Sequence, residues 1–162
     1  MYESFFGLSG KPFQLNPDPD FFYGSRGHRR AMAYLEYGLH QGEGFIVITG
    51  EVGAGKTTLV RNLLRRIPAD TISAAQIVST QGEGRRALLI VDEAQNLSPR
   101  AVEELRMLSN FQVGTRSLVQ SFLVGQPEFR EIMQRQEMRQ LKQRIIASYH
   151  LGPLDRAETQ AY

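Results

Sequence analysis

Cysteine and tryptophan are both absent from this chain. Without thiols there is no disulfide framework and no thiolate metal site. That fits a reducing cytoplasm, and a cytoplasmic location is expected, with contact to the inner membrane only through partners. Histidine is scarce: His28, His40 and His150 lie far apart, so a histidine metal cluster is not expected. No apolar run approaches the roughly 18 residues that a membrane span needs. The start, Met1 to Phe6, lacks a basic n-region and does not read as a signal peptide. A net charge of +2 is too small to argue for nucleic acid by itself.

What is present describes a globular domain. Over 162 residues, 41% hydrophobic content against 22% charge can build a sizeable core in one domain, or one and a fragment.

The run Gly50-Glu51-Val52-Gly53-Ala54-Gly55-Lys56-Thr57 matches the phosphate-binding pattern G-x-x-x-x-G-K-[ST] without a mismatch. The apolar stretch Phe45 to Thr49 predicts a strand feeding into it. Leu59, Leu63 and Ile67 predict an amphipathic helix leaving it. Glycines allow the tight turn that points successive N–H groups inward, and the helix dipole adds to the attraction for phosphate. Lys56 can reach the β/γ-phosphates and the Thr57 hydroxyl can ligate Mg²⁺. The whole loop, with Thr58, is expected to bind ATP.

Elsewhere, Ser25 predicts the cap of a helix to about Leu39, with Ala31, Leu35 and Leu39 on one face. Strands are predicted at Ile72–Val78, Ala87–Val91, Leu118–Val124 and Ile146–Leu151. Helices are predicted from Pro99 to Ser109, from Pro127, and over Met138–Ile145. Asp155 to Glu158 reads as a capping box opening a last helix. The aromatic and proline-rich first 24 residues read as an ordered loop strapped to the fold. This alternation implies a parallel, doubly wound sheet. One connection is too short. Only about eight residues separate the second and third strands, and a parallel crossover needs about a dozen. Either the two strands are antiparallel, or a segment is missing near 80–84; the second is favoured.

Hydrolysis needs acids as well as a phosphate loop. Leu88 to Val91 ends in Asp92 and Glu93, at the carboxyl end of a strand, where ligands sit in open α/β sheets. Asp92 can hold the Mg²⁺ shell and Glu93 can deprotonate the attacking water. Gln126, at the end of the fourth strand, can sense the γ-phosphate or cap the helix after it. Arg135, Arg139, Lys142 and Arg144 form a basic cluster: a solvated face, or the source of an arginine finger for a neighbouring subunit.

Together these residues resemble an AAA+ ATPase, in particular the general secretion pathway protein A family. The resembling stretches are Phe13–Pro19, Tyr23-Gly24-Ser25 with His28, Gly42–Phe45, Val91–Leu97, Leu108-Ser109-Asn110, Val124–Glu128 and Gln143-Arg144-Ile145. The start and Ala75–Val78 look most like its secretion-ATPase subfamily linked with PEP-CTERM/exosortase and exopolysaccharide loci. The resemblance implies a three-layer P-loop core over 1–154 with strand order 5-1-4-3-2. It implies Gln126 as first sensor, Arg144 as the finger, and an adenine pocket around Phe13 to Tyr23. It also implies a longer connection between strands two and three, and a helical lid that only begins at 155–162. A core without its lid is expected to hold nucleotide weakly.

The expected function is ATP hydrolysis in a homo-oligomer, a ring or filament with shared sites, working with secretion or sorting machinery. The alternative is an ATP-dependent DNA-binding regulator, supported only by the basic 130–144 segment. A non-hydrolysing ATP switch is disfavoured by Glu93.

Overall fold

Strand β1 (Phe45–Gly50) is buried along its whole length and sends alternate side chains into two cores. Phe45 and Val47 pack on one face with Leu123, Val102, Leu105 and Phe129. Ile46 and Ile48 pack on the other with Leu35, Leu59, Leu63 and Phe122. A continuous apolar run is what a central parallel strand covered on both faces requires. The computed structural model describes residues 2–7, 22–67, 72–74, 86–114 and 116–161.

The helices supply the two outer layers. α1 (Tyr2–Phe5) is a single short turn. α2 (Arg26–Gln41) and α3 (Lys56–Arg66) cover one face through Ala31, Leu35, Leu59 and Leu63. α4 (Pro99–Leu108) and α5 (Glu128–Ile132) cover the other through Val102, Leu105 and Phe129. Each fully buried leucine or phenylalanine contributes about 1.5–3 kcal/mol of transfer free energy. α2 begins where Ser25 accepts from the His28 N–H and ends at Gly42 in the left-handed region. α4 begins at Ser98, whose side chain accepts from the Ala101 N–H ahead of Pro99.

The remaining strands are β2 (Ile72–Ala74), β3 (Arg86–Val91), β4 (Gln112–Val113), β5 (Arg116–Ser117), β6 (Val119–Gly125) and β7 (Ile145–Leu151). The main sheet runs β2-β3-β6-β1-β7, and all its pairings are parallel. Counting only these five strands, the order is the expected 5-1-4-3-2. The labels differ because β4 and β5 form a separate antiparallel hairpin that the sequence did not signal.

Several expectations are corrected. The helix expected over Met138–Ile145 is a 3-10 turn at Gln136–Met138 followed by α6 (Arg139–Lys142), and Ile145 already belongs to β7. The strap reading fails at Phe5 and Phe6, which are 81% and 60% exposed and pack edge-on against each other. Phe22 does pack on the core. β3 is less buried than its apolar run suggested: from Ala87 to Val91 only Leu88 is fully covered, and β3 lies one strand from the sheet margin. β2 and β3 pair parallel, with Ile72 opposite Arg86, so the antiparallel alternative is excluded. The connection at 75–85, and the interruption expected near 80–84, lie outside the described residues, as do Phe13–Pro19. The capping box is present: the Glu158 N–H donates to Asp155 Oδ1 at 2.8 Å, opening α7 (Arg156–Ala161).

Candidate active site

The carboxyl ends of β1, β3 and β6 lie side by side, because these strands are parallel and in register (Val47 and Val91 both pair with Leu123). That edge gathers Gly50, Asp92 and Gln126 although 76 positions separate the first from the last. The phosphate loop leaves β1 there. Gly53 and Gly55 both take φ of +81°, which the turn needs and other residues resist. At Gly50 a Cβ would lie 2.6 Å from the Leu151 carbonyl oxygen. No side chain caps the start of α3.

Lys56 is buried at the centre of the loop. Its Nζ donates to the Gly50 carbonyl at 2.7 Å and the Glu51 carbonyl at 2.8 Å. An ammonium has three donors, so one remains for a phosphate oxygen. At the next residue, Thr57 Oγ1 donates to Asp92 Oδ2 at 2.9 Å, and the other Asp92 oxygen accepts from the Glu93 N–H at 2.9 Å.

Glu93 is the one non-glycine residue with positive φ (54°) among the described residues. Such strain costs on the order of 1 kcal/mol and persists where surrounding bonds hold it. Here two amides do so. Gln95 Nε2 donates to Glu93 Oε2 in a short contact, and Gln126 Nε2 donates to the same oxygen at 3.1 Å. Gln95 Oε1 in turn accepts from the Gln126 N–H at 3.0 Å. These bonds, Gln95 first and Gln126 second, with a smaller contribution from the Lys56 charge, hold the Glu93 carboxyl below its usual range. The group is exposed and ionised at neutral pH.

Beside the loop lies a cavity of about 470 Å³ lined by Phe22, Tyr23, His28, Glu51 to Gly55, Thr58 and Gly152 to Leu154. Its walls come from the two ends of the described core and are tied together. Glu158 Oε1 accepts from the Arg26 N–H at 2.7 Å, which joins α7 to the start of α2.

Lys56, Thr57, Asp92, Glu93 and Gln126 thus meet at one edge, and Tyr23 and Thr58 line the adjoining cavity. Arg144 does not join them. It precedes β7, at the opposite end of the strand from Leu151, which abuts Gly50. Seven residues of strand span roughly 20 Å. The Arg144 guanidinium donates instead to Ser109 Oγ at 2.6 Å and to Asn110 Oδ1. Arg135, Arg139 and Lys142 are exposed. Gln95 was passed over as a site residue although it stands two positions after Glu93; a polar amide beside paired acids was the available signal. His28 stood in the sequence only as part of the resembling stretch with Tyr23-Gly24-Ser25, without a role, and the Gly152–Leu154 wall carried no local signal.

The profile of the AAA domain family matches residues 39–81 and 72–133, which together cover more than half of the chain. The chain belongs to the AAA domain family. As an AAA domain it is similar to general secretion pathway protein A of Aeromonas hydrophila, with 37% identity over 200 positions that take in the whole chain. The chain spans only 37% of that relative's length. Two structures of the Aeropyrum pernix ORC2 protein share the AAA domain fold. The one with ADPNP and ADP has a TM-score of 0.66 at 20% identity, covering 91% of this chain and 52% of that one. The ADP form has a TM-score of 0.62 at 18% identity, covering 98% and 54%. No described helix is long and apolar enough to cross a membrane.

Proposed function

We propose that this AAA domain binds ATP with Mg²⁺ and hydrolyses the terminal phosphoanhydride. The observation that carries the reading is the Glu93 carboxylate, held by Gln95 and Gln126 on the same sheet edge as Lys56 and the Thr57–Asp92 pair. Phosphate oxygens bind the loop N–H groups and the third Lys56 donor. Glu93 accepts a proton from water as that water attacks the γ-phosphorus in line with the leaving oxygen. Gln126, already on Glu93, can turn its amide toward the water or the γ-phosphate. Tyr23 and Phe22 offer apolar surface for the base.

The metal fits the donors present. No group of three His, Cys, Asp or Glu among the described residues could hold an ion. Thr57 Oγ1 and Asp92 supply oxygen only, and Mg²⁺ needs one or two protein oxygens when phosphates and water fill the rest. When bound, it would neutralise charge on the β- and γ-phosphate oxygens.

The similarity to general secretion pathway protein A supports a role beside secretion machinery. The finer subfamily, tied to PEP-CTERM/exosortase sorting, rests on the motif resemblance at Ala75–Val78 and the N-terminal stretch. Arg144 is assigned to the site of a neighbouring copy in a homo-oligomer, since its own site is a strand length away. A cytoplasmic location belongs to the same reading. The domain spans 1–154, and 155–162 opens a lid. The connection between β2 and β3 is abbreviated. The relative aligns over 200 positions against 162 residues here, a surplus of 38, and the family profile matches in two overlapping pieces that meet at 72–81.

The test is Mg²⁺-dependent phosphate release against protein concentration, with and without DNA. A rate per subunit that rises with concentration and is indifferent to DNA is expected. Absence of ATP turnover at every concentration would overturn the reading, and dependence on DNA would favour a DNA-bound regulator.

A further inference from the structure

His28 is a buried titratable group that the hydrolytic reading does not use. It sits on the first turn of α2, and its ring reaches across to the phosphate loop. Nε2 lies 3.0 Å from the Ala54 carbonyl oxygen. Nδ1 lies 2.7 Å from Ser25 Oγ.

These two contacts determine the tautomer. A carbonyl oxygen can only accept, so Nε2 carries the proton. Ser25 Oγ already accepts from the His28 N–H at 3.2 Å, leaving its hydroxyl proton for Nδ1. The ring is fixed further by edge-on packing against Phe22, with centroids 5.3 Å apart. Behind it, α2 is anchored in the core through Ala31, Met32 and Leu35.

The loop is shaped around this ring. Gly55 has φ of +81°, and a Cβ there would lie 2.8 Å from His28 Nε2. The imidazole therefore occupies the space that a side chain at Gly55 would need. Within the loop itself, Ala54 is held by its own N–H donating to Glu51 O at 3.1 Å. The bond from His28 is the tie to Ala54 that comes from a different element.

We propose that His28 is a positioning residue for the phosphate loop, holding the Ala54 carbonyl outward so that the following N–H groups are preset toward the nucleotide phosphates. The proposal rests on the nucleotide-binding reading above. Burial lowers the basicity of His28, opposed by the Ala54 bond and by the charge of Glu158 on α7. The neutral ring is the form that this bonding pattern uses. A rigid loop spends less conformational entropy when phosphate arrives, which is how a group that touches no substrate can raise affinity.

The test compares His28→Gln, whose amide can still donate to Ala54, with His28→Leu, which fills similar space without a donor. Two measurements are needed. Amide hydrogen exchange at residues 53–57 is followed without nucleotide, and ATP affinity is measured by titration with a fluorescent ATP analogue. We expect His28→Leu to speed loop exchange and weaken affinity by about tenfold each, the size of one lost buried hydrogen bond. His28→Gln should stay within about threefold of the parent in both. Equal defects in the two variants would overturn the proposal, since ring packing would then be the whole effect. So would unchanged exchange in His28→Leu, or an imidazole nitrogen NMR signal showing the proton on Nδ1. If the parent protein binds no ATP analogue while loop exchange still responds to His28→Leu, the functional reading fails and the clamp stands.

Discussion

Gln126 Nε2 donates to Glu93 Oε2 at 3.1 Å, joining the end of β6 to the residue pair that follows β3. Gln95 reinforces the link from both sides, donating to Glu93 and accepting from the Gln126 backbone. The carboxylate is therefore aimed by neighbours and made less basic by them. A base with two donors on it is ionised well into acid, and losing one donor makes it a stronger base that protonates earlier. Glu93 must be unprotonated to act, so activity is lost as pH falls through its folded pKa. That pKa lies below the usual 4.5, with Gln95 as the largest cause. Gln95→Leu should move the acid limb of the kcat profile to higher pH. An unmoved limb would remove Gln95 from the base's environment.

Lys56 and Glu93 should separate binding from chemistry. Lys56→Ala deletes the charge at the loop centre and its bonds to Gly50 and Glu51. It should abolish detectable ATP binding. Glu93→Gln keeps shape and hydrogen bonding but cannot take a proton. It should bind ATP like the parent and lose about 10²–10⁴ in turnover. Binding isotherms beside steady-state phosphate release distinguish the two, and equal turnover for Glu93→Gln and the parent would exclude the general base.

Arg144 can be tested by complementation. If it serves a neighbouring copy, Arg144→Ala and Glu93→Gln proteins are each inactive alone. Mixing them should restore part of the activity, because one supplies an intact acid pair and the other an intact arginine. Failure of mixing to restore activity, with both proteins folded, would assign Arg144 to its bonds with Ser109 and Asn110 alone.

Gly38 makes a stability prediction that is independent of function. It lies on the buried face of α2, and a Cβ there would come within 2.4 Å of Ile46 Cγ1 and 2.9 Å of Ile46 Cδ1. Ile46 is itself fully buried in β1 and cannot swing clear. Gly38→Ala should destabilise by about 1–2 kcal/mol despite a better helix propensity worth up to about 1 kcal/mol. Urea unfolding at constant m-value measures it.

The parts of the site readable in advance were those whose chemistry is local. The phosphate loop is eight consecutive residues whose pattern is set by what a phosphate-binding backbone turn requires, so its spacing alone carries the signal. Asp92 and Glu93 follow an apolar run directly, and a strand's carboxyl end is a place that sequence can mark. The parallel sheet followed from strands alternating with helices, whereas its strand order came from the family resemblance. The β4–β5 hairpin escaped because two-residue strands have no period to detect. The strap reading failed at Phe5 and Phe6 because composition records how many aromatics a segment has, not where they point.

Sequence by itself determined the loop, the paired acids and the caps of α2, α4 and α7, since each depends on residues within a few positions of one another, and the fold class, since strands and helices alternate along the chain. Tertiary structure alone decided that Gln95 and Gln126 hold one carboxylate oxygen, that Arg144 lies a strand length from its own loop, and that His28 grips Ala54 across 26 positions. Those relations depend on register between strands and on how a helix seats against a sheet. Both arise from packing summed over the whole core, and no window of sequence contains them.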